Sequence, residues 1–76
     1  MRIRKSDLEN AEDRVNALLN NIKLKVSYRY GYTAIDILDD KGRVLVTLVA
    51  GLTKREAYDV LHAIHTVIRE ERSASS

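Results

Sequence analysis

Two histidines, His62 and His65, are the side chains of this sequence best suited to acid–base or metal chemistry. They are three residues apart, so on a helix both imidazoles lie on the same face. A zinc site needs three or four ligands. The sequence contains no cysteine and no third histidine to complete such a set. We therefore predict that the pair binds no metal.

Other groups that could support catalysis are scarce. Asp36, Asp39 and Asp40 are the carboxylates near predicted strand ends, and the turn sequence "DDKG" already accounts for the last two. Ser27 alternates with apolar residues of a predicted strand, so no Ser-His-Asp arrangement is indicated. The three glycines are isolated, whereas a phosphate-binding loop needs several before a helix. The sequence predicts neither an enzyme nor a bound cofactor.

The polar residues of the last predicted helix, residues 54–71, separate by charge around the helix axis. At about 100° per residue, one flank of the apolar stripe, here called the basic flank, carries Lys54, Tyr58, His62, His65, Arg69 and Arg72, with Arg55 at its outer edge. Acidic residues lie toward the other flank. Two interpretations remain open: a solvated surface, or a nucleic-acid-binding surface formed by Lys54, Arg55, Tyr58, His62, His65 and Arg69.

The composition limits the size of the core and the environment of the protein. A chain of 76 residues with 45% hydrophobic content is predicted to form one small domain over residues 1–76. Such a domain is marginally stable, and with no cysteine for disulfides, self-association is the supplement that remains. The absence of cysteine and of long apolar segments predicts a cytoplasmic protein that is not exported and spans no membrane.

Both ends of the chain are predicted to be helical, with short segments outside the helices. Ser6 and Glu9 match a capping box, and the apolar spacing that follows predicts a helix over residues 7–20. Thr53 and Glu56 form a second capping box before the helix over residues 54–71. We expect residues 1–5 to form a basic arm and residues 73–76 a disordered tail.

Three strands are predicted between the helices. "IKLKVSYRY", residues 22–30, alternates apolar and polar residues without interruption, which is typical of a strand with one buried face. "YTAIDIL", residues 32–38, and "RVLVTLVA", residues 43–50, follow, and Gly42 suits the positive-φ position of the turn between them. For the third strand we expect Val44, Val46 and Leu48 to face the core.

The order α-β-β-β-α with short turns predicts an α+β fold, in which both helices cover one face of a three-stranded antiparallel sheet. The second sheet face, here called the open face, is then left uncovered. A partner-binding surface is predicted there, formed by Lys23, Lys25, Arg29, Leu38, Arg43, Leu45 and Val49. Its aliphatic part favours a homodimer or a protein partner.

Three of the four tyrosines lie within "YRYGY", residues 28–32. The alternation of the first strand places Tyr28 and Tyr30 on the side of Leu24 and Val26, under the helices. We therefore expect these two rings at the rim of the core, with their hydroxyl groups in water. Tyr32 follows the turn at Gly31 and is the exception, because the turn changes the face on which it lies.

The element order and the segment "TKREAYDVLHAI" resemble double-stranded-RNA-binding domains, whose final helix begins with basic residues that straddle phosphates. Lys54 and Arg55 match that pattern. Where a third basic residue is expected, this sequence has Tyr58 or Asp59, and the loop after the first strand has no Gly-Pro or His. The resemblance implies duplex RNA as a ligand.

The sequence also resembles small phage- and prophage-encoded proteins of unknown function. In these proteins a Gly-Tyr turn follows a strand, and the closing helix starts Thr-Lys-Arg-Glu-x-Tyr. The segments "YGYTAIDI" and "GLTKREAYDVLHAI" carry the likeness, which covers about the C-terminal half of the chain. The resemblance implies a phage or mobile-element origin, with a host or phage protein as the partner, and no established activity.

Overall fold

The computed structural model describes residues 2–75 of the chain. Its elements are α1 (Lys5–Asn16), β1 (Lys23–Arg29), β2 (Tyr32–Leu38), β3 (Val44–Leu52) and α2 (Lys54–Ser75). The three strands form one antiparallel sheet in the order β1-β2-β3, so β2 is central and the other two are edges. The predicted α-β-β-β-α order and the α+β fold class are confirmed.

Both helices pack on the same face of the sheet. Val26 of β1 lies directly opposite Ile35 of β2, and side chains of such pairs project to the same side. The core cluster on that side consists of Ile3, Leu8, Val15, Leu24, Val26, Ile35, Ala57 and Leu61. Because this cluster combines residues of α1, α2, β1 and β2, the domain has two layers and the other sheet face carries no helix.

The start of α1 differs from the predicted capping box. The helix begins at Lys5, and the Asp7 carboxylate accepts a hydrogen bond of 2.9 Å from the backbone N–H of Arg4. The expected pairing of Ser6 with Glu9 is therefore wrong by two positions. At the other end the helix stops at Asn16 instead of residue 20, and the chain continues in tighter i+3 turns.

The start of α2 agrees with its predicted capping box. The backbone N–H of Glu56 donates to the Thr53 hydroxyl at 3.1 Å, and the N–H of Thr53 donates to the Glu56 carboxylate at 2.9 Å. These bonds satisfy two backbone donors that a helix start otherwise leaves free. The hydrogen bonds from Thr53 also hold the pKa of Glu56 below its usual range.

The terminal segments are more ordered than the sequence suggests. Ile3 is buried in the core and Lys5 already belongs to α1, so most of the expected basic arm of residues 1–5 is part of the domain. α2 continues to Ser75, four residues beyond the predicted end, because no glycine or proline interrupts it. Residues 73–75 of the expected tail are thus helical. Met1 and Ser76 lie outside the described residues.

A two-residue turn joins β1 to β2. Arg29 pairs with Tyr32, and Tyr30 and Gly31 between them have φ angles of 52° and 79°, which is the geometry of a type I′ hairpin. Tyr30 is 99% exposed, so its expected position under the helices is wrong. Tyr28 does lie on the helix side, half-exposed, with the Lys5 ammonium 4.7 Å from its ring centroid.

β3 contains more residues than the part of β2 with which it pairs. The pairs are Thr33 with Leu52, Ile35 with Val49, Asp36 with Thr47, Ile37 with Val46 and Leu38 with Val44. Each of the three register shifts between these pairs adds one residue to β3, which is a β-bulge. A bulge reverses the alternation of side chains, so strict period two fails along this strand.

The expected inward set of β3 is consequently correct only for Val46. Val46 lies opposite Ile37 on the helix side, but Val44 lies opposite Leu38 on the open face and Leu48 lies within a bulge. All three side chains are exposed. Leu52 packs against the core from the end of the strand. The helices therefore cover β1 and β2 well and leave most of β3 accessible to solvent.

Candidate functional site

The open face is defined by the register of the sheet. Its side chains are Lys23, Lys25, Ser27 and Arg29 from β1, Tyr32, Ala34, Asp36 and Leu38 from β2, and Val44 and Thr47 from β3. Of the residues predicted to bind a partner here, Lys23, Lys25, Arg29 and Leu38 lie on this face. The cations are confined to β1, and the β3 side of the face carries none. The face is thus basic along one edge and largely apolar along the other.

The other three predicted partner-binding residues have different positions. Val49 lies opposite Ile35 and therefore belongs to the helix-covered face, because the bulges of β3 reverse the predicted alternation. Arg43 precedes β3, where its Nε donates to the Asp39 carboxylate at 3.2 Å. The backbone N–H of Arg43 contributes most to holding the pKa of Asp39 low. Leu45 lies in a bulge and is exposed.

Asp36 is a buried carboxylate at the centre of the open face, with its side chain only 4% exposed. The hydroxyl groups of Ser27 on β1 and Thr47 on β3 each donate to it at 2.8 Å, and Arg29 Nη2 donates at 3.0 Å. Burial by itself raises the pKa of Asp36, but the bonds from Ser27 and Thr47 and the charge of Arg29 outweigh it and lower the pKa. The carboxylate therefore links all three strands as an ionised acceptor.

This role of Asp36 was not predicted from the sequence. The signal was present, because Asp is depleted in strands and this one lies between Ile35 and Ile37 in a β-branched segment. A carboxylate in such a position needs donors on its neighbours, and only the register shows that Ser27, Arg29 and Thr47 supply them. The arrangement leaves Asp36 occupied by donors and gives it a structural role.

The outer edge of β1 is closed by side chains of α1. The Asn16 side chain donates to the carbonyl oxygen of Leu24 at 2.9 Å and accepts from the N–H of Leu24 at 2.8 Å. The Glu12 carboxylate accepts from the N–H of Val26 at 3.3 Å. Burial raises the pKa of Glu12 by more than this hydrogen bond lowers it. Three backbone groups that another strand would use, the N–H and carbonyl of Leu24 and the N–H of Val26, are therefore already bonded.

The edge formed by β3 is open and apolar. Val44, Leu45, Val46 and Leu48, here called the apolar edge, are 56%, 58%, 53% and 45% exposed. Within residues 2–75, no side chain is hydrogen-bonded to the backbone of β3. Edge strands of natural proteins usually carry charges or are covered, because free backbone groups attract another chain. The sheet thus has one closed edge and one open edge.

The basic flank of α2 does not act as one continuous surface. Arg55 Nε lies 3.3 Å from the Asp59 carboxylate, so part of its charge is compensated. Tyr58 is half-buried and packs against the core. His62, His65 and Arg69 line a groove between the helices, and Arg14 of α1 lines the same groove. Arg14 was not among the predicted site residues, because its approach depends on how the helices pack.

No metal-binding group of three or more His, Cys or carboxylate side chains is found in the described part of the chain. None of the described helices combines the length and the apolar character that crossing a membrane requires. No protein-family model matches the chain, and no curated protein and no solved structure matches it either. The phage and double-stranded-RNA resemblances therefore stay predictions from the sequence.

Proposed function

We propose that this chain is a non-catalytic interaction module that forms a homodimer through the apolar edge of β3. The observation that carries the proposal is the contrast between the two sheet edges. Asn16 and Glu12 bond three outward-facing backbone groups of β1, whereas no described side chain bonds the backbone of β3, which lies beside four exposed aliphatic side chains. A neighbouring strand would satisfy those backbone groups and cover the side chains.

A second copy of the chain fits this edge better than an unrelated partner. Each chain has one open edge, so pairing of β3 with β3 by a two-fold axis uses both edges and closes the assembly at two copies. The cations Lys23, Lys25 and Arg29 lie on β1, at the far side of the sheet. Pairing through β3 therefore keeps the basic strands of the two copies apart.

Hydrophobic burial supports the same arrangement. The apolar edge is about half exposed, and covering each of its side chains stabilises an assembly by on the order of 1 kcal/mol. The core of the monomer is small: among the described residues nine hydrophobic ones are buried, four of them in β1 and β2 and none in β3. Self-association would therefore supply burial that β3 does not obtain within one chain.

Sedimentation velocity or light scattering on the purified protein tests the proposal. We expect a dimer at tens of micromolar for the wild type and a monomer for Leu45→Glu, because this substitution places a charge in the interface. Val67→Glu is the matched control, since Val67 is an exposed aliphatic residue of α2 outside the apolar edge. Circular dichroism verifies that both variants are folded.

Two results would contradict the proposal. One is a wild-type protein that stays monomeric at high micromolar concentration. The other is a Leu45→Glu variant that dimerises as strongly as the wild type, which would place the interface away from β3. If Val67→Glu dissociates the dimer and Leu45→Glu does not, the interface lies on the helices.

A further inference from the structure

The two helices run parallel and form a groove between them. At one end Tyr58 of α2 lies beside Asp7 and Asn10 of α1, and at the other end the Arg72 guanidinium donates to the carbonyl oxygen of Leu18. Between these ends lies a cavity of about 140 Å³. We call this cavity the interhelical groove. Its polar lining consists of Arg14, Tyr58, His62, His65, Thr66 and Arg69.

The charges that line the interhelical groove are of one sign. Two guanidinium groups, from Arg14 and Arg69, and two imidazoles face it, and no carboxylate lines it. Within the described residues, neither Arg14 nor Arg69 forms an ion pair. Asp7 lines the adjoining hollow together with Arg14 and Tyr58, and its carboxylate accepts a hydrogen bond from the backbone N–H of Arg4. Like charges brought together from two helices destabilise the fold unless an anion compensates them.

We propose that the interhelical groove binds a phosphate group. Guanidinium groups suit phosphate because their planar donors match two of its oxygens at once. Arg14 and Arg69 approach from different helices, so a phosphate between them receives donors from two sides. The imidazoles of His62 and His65 and the Tyr58 hydroxyl provide further donors around the same space. Such an arrangement holds an anion by geometry as well as by charge.

The size of the groove favours one phosphate group over a long nucleic-acid path. Lys54 and Arg55, at the start of α2, do not line it, and Arg55 is already paired with Asp59. The uncompensated charge is therefore concentrated around Arg14 and Arg69. The phosphate belongs either to a small phosphorylated molecule or to the backbone of a nucleic acid, and both present the same chemistry to these residues.

Nuclear magnetic resonance titration with inorganic phosphate, at constant ionic strength maintained with chloride, tests the proposal. We expect saturable shifts of the His62 and His65 imidazole resonances and of the Arg14 amide. Arg14→Gln and Arg69→Gln should each weaken binding by about tenfold or more, because each removes a charge-assisted hydrogen bond. Arg55→Gln is the matched control and should leave the affinity unchanged. Thermal unfolding verifies that all three variants are folded.

A second arm of the titration uses a short single-stranded oligonucleotide to identify the source of the phosphate. Competition with inorganic phosphate, together with weaker binding by Arg14→Gln, supports the groove and assigns it to a nucleic-acid backbone. No competition while phosphate still binds supports the groove and assigns it to small phosphorylated molecules. The proposal is overturned by the absence of saturable shifts at tens of millimolar phosphate. It is equally overturned if an Arg14→Gln, Arg69→Gln double variant responds like the wild type.

Discussion

Asn16 of α1 and Leu24 of β1 exchange two hydrogen bonds, of 2.9 and 2.8 Å, that close one edge of the sheet. The side-chain amide bonds the same two backbone groups that a neighbouring strand would bond. The Asn16 side chain thereby forms the bonds to Leu24 that a fourth strand would otherwise form. The opposite edge has no such residue, and the asymmetry between the edges underlies the proposed dimer.

The first prediction concerns this closure of the β1 edge. Asn16→Ala removes both bonds to Leu24 and leaves its N–H and carbonyl oxygen with water or without a partner. We expect the free energy of unfolding to fall by about 1 to 3 kcal/mol, the usual cost of a lost partner for part-buried backbone groups. Urea unfolding of the wild type and the variant measures the difference.

Asn10→Ala is the matched control for Asn16→Ala, because Asn10 is an exposed residue in the middle of α1. Alanine favours a helix slightly more than asparagine, so this control should be neutral or mildly stabilising. Equal changes in stability in the two variants would show that Asn16 contributes only helix propensity. The two bonds that close the β1 edge would then not contribute to the free energy of unfolding.

The second prediction concerns the backbone of β3 in the dimer. If two copies pair through this edge, amides of β3 that point away from β2 become hydrogen-bonded and exchange slowly with solvent. Hydrogen exchange at high protein concentration should show them protected in the wild type and unprotected in Leu45→Glu. Protection that is the same in both proteins would contradict strand pairing. The amides of β1 are the internal reference, because their bonds to β2 and α1 do not depend on the dimer.

The third prediction follows from the lowered pKa of Asp36. A carboxylate whose pKa is lower in the folded than in the unfolded state stabilises the fold above the unfolded pKa. That contribution is lost as the pH falls below about 4 and through the folded pKa. Asp36→Asn should therefore cost about 1 to 2 kcal/mol at neutral pH. The gap between wild type and variant should narrow in acid, as urea unfolding at neutral pH and near pH 3 would show.

The control for the acid experiment is Asp40→Asn, which changes an exposed carboxylate in the turn between β2 and β3. We expect it to have little effect on stability. A gap between the wild type and Asp36→Asn that stays constant from neutral pH into acid would show that the charge of Asp36 does not contribute. The hydrogen bonds from Ser27 and Thr47 would then account for its role without ionisation.

The fourth prediction concerns the turn between β1 and β2. Tyr30 has a φ of 52°, a conformation that costs a residue with a side chain roughly 1 kcal/mol and that Asn adopts more readily. Tyr30→Asn should therefore raise the melting temperature of the protein. Gly31→Ala should lower the melting temperature, because φ is 79° there, a conformation that strains any residue with a side chain. An added Cβ would have no atom within 4 Å, so no new contact would offset this strain. A lower melting temperature for Tyr30→Asn would indicate that the exposed ring stabilises the fold.

Much of the fold could be predicted from local patterns, because these patterns depend on few neighbours. The alternation in β1, the β-branched run of β2 and the Thr53–Glu56 capping box all correspond to observed elements. Gly42 has the positive φ of 84° that the turn chemistry predicted. The faces of β3 could not be predicted, because bulges arise from its pairing with β2 and leave no alternation signal in the sequence.

The candidate sites depended on tertiary packing and were therefore predicted less well. The basic flank could be derived from helix geometry, but the entry of Arg14 into the interhelical groove depends on the parallel packing of α1 and α2. The pairing of Arg55 with Asp59 shows that the two flanks of α2 are not fully separated. The closure of the β1 edge by Asn16 was likewise hidden, since its partners are eight residues away along the chain.

The three bulges of β3 also limit which assemblies of further strands can form at its edge. Cross-β fibres need long, straight segments that stack in register at every residue. The bulges divide β3 into short stretches and bend it, so no stretch of it is regular over more than a few residues. An aliphatic edge strand of this kind can join one partner of matching curvature while resisting conversion into amyloid.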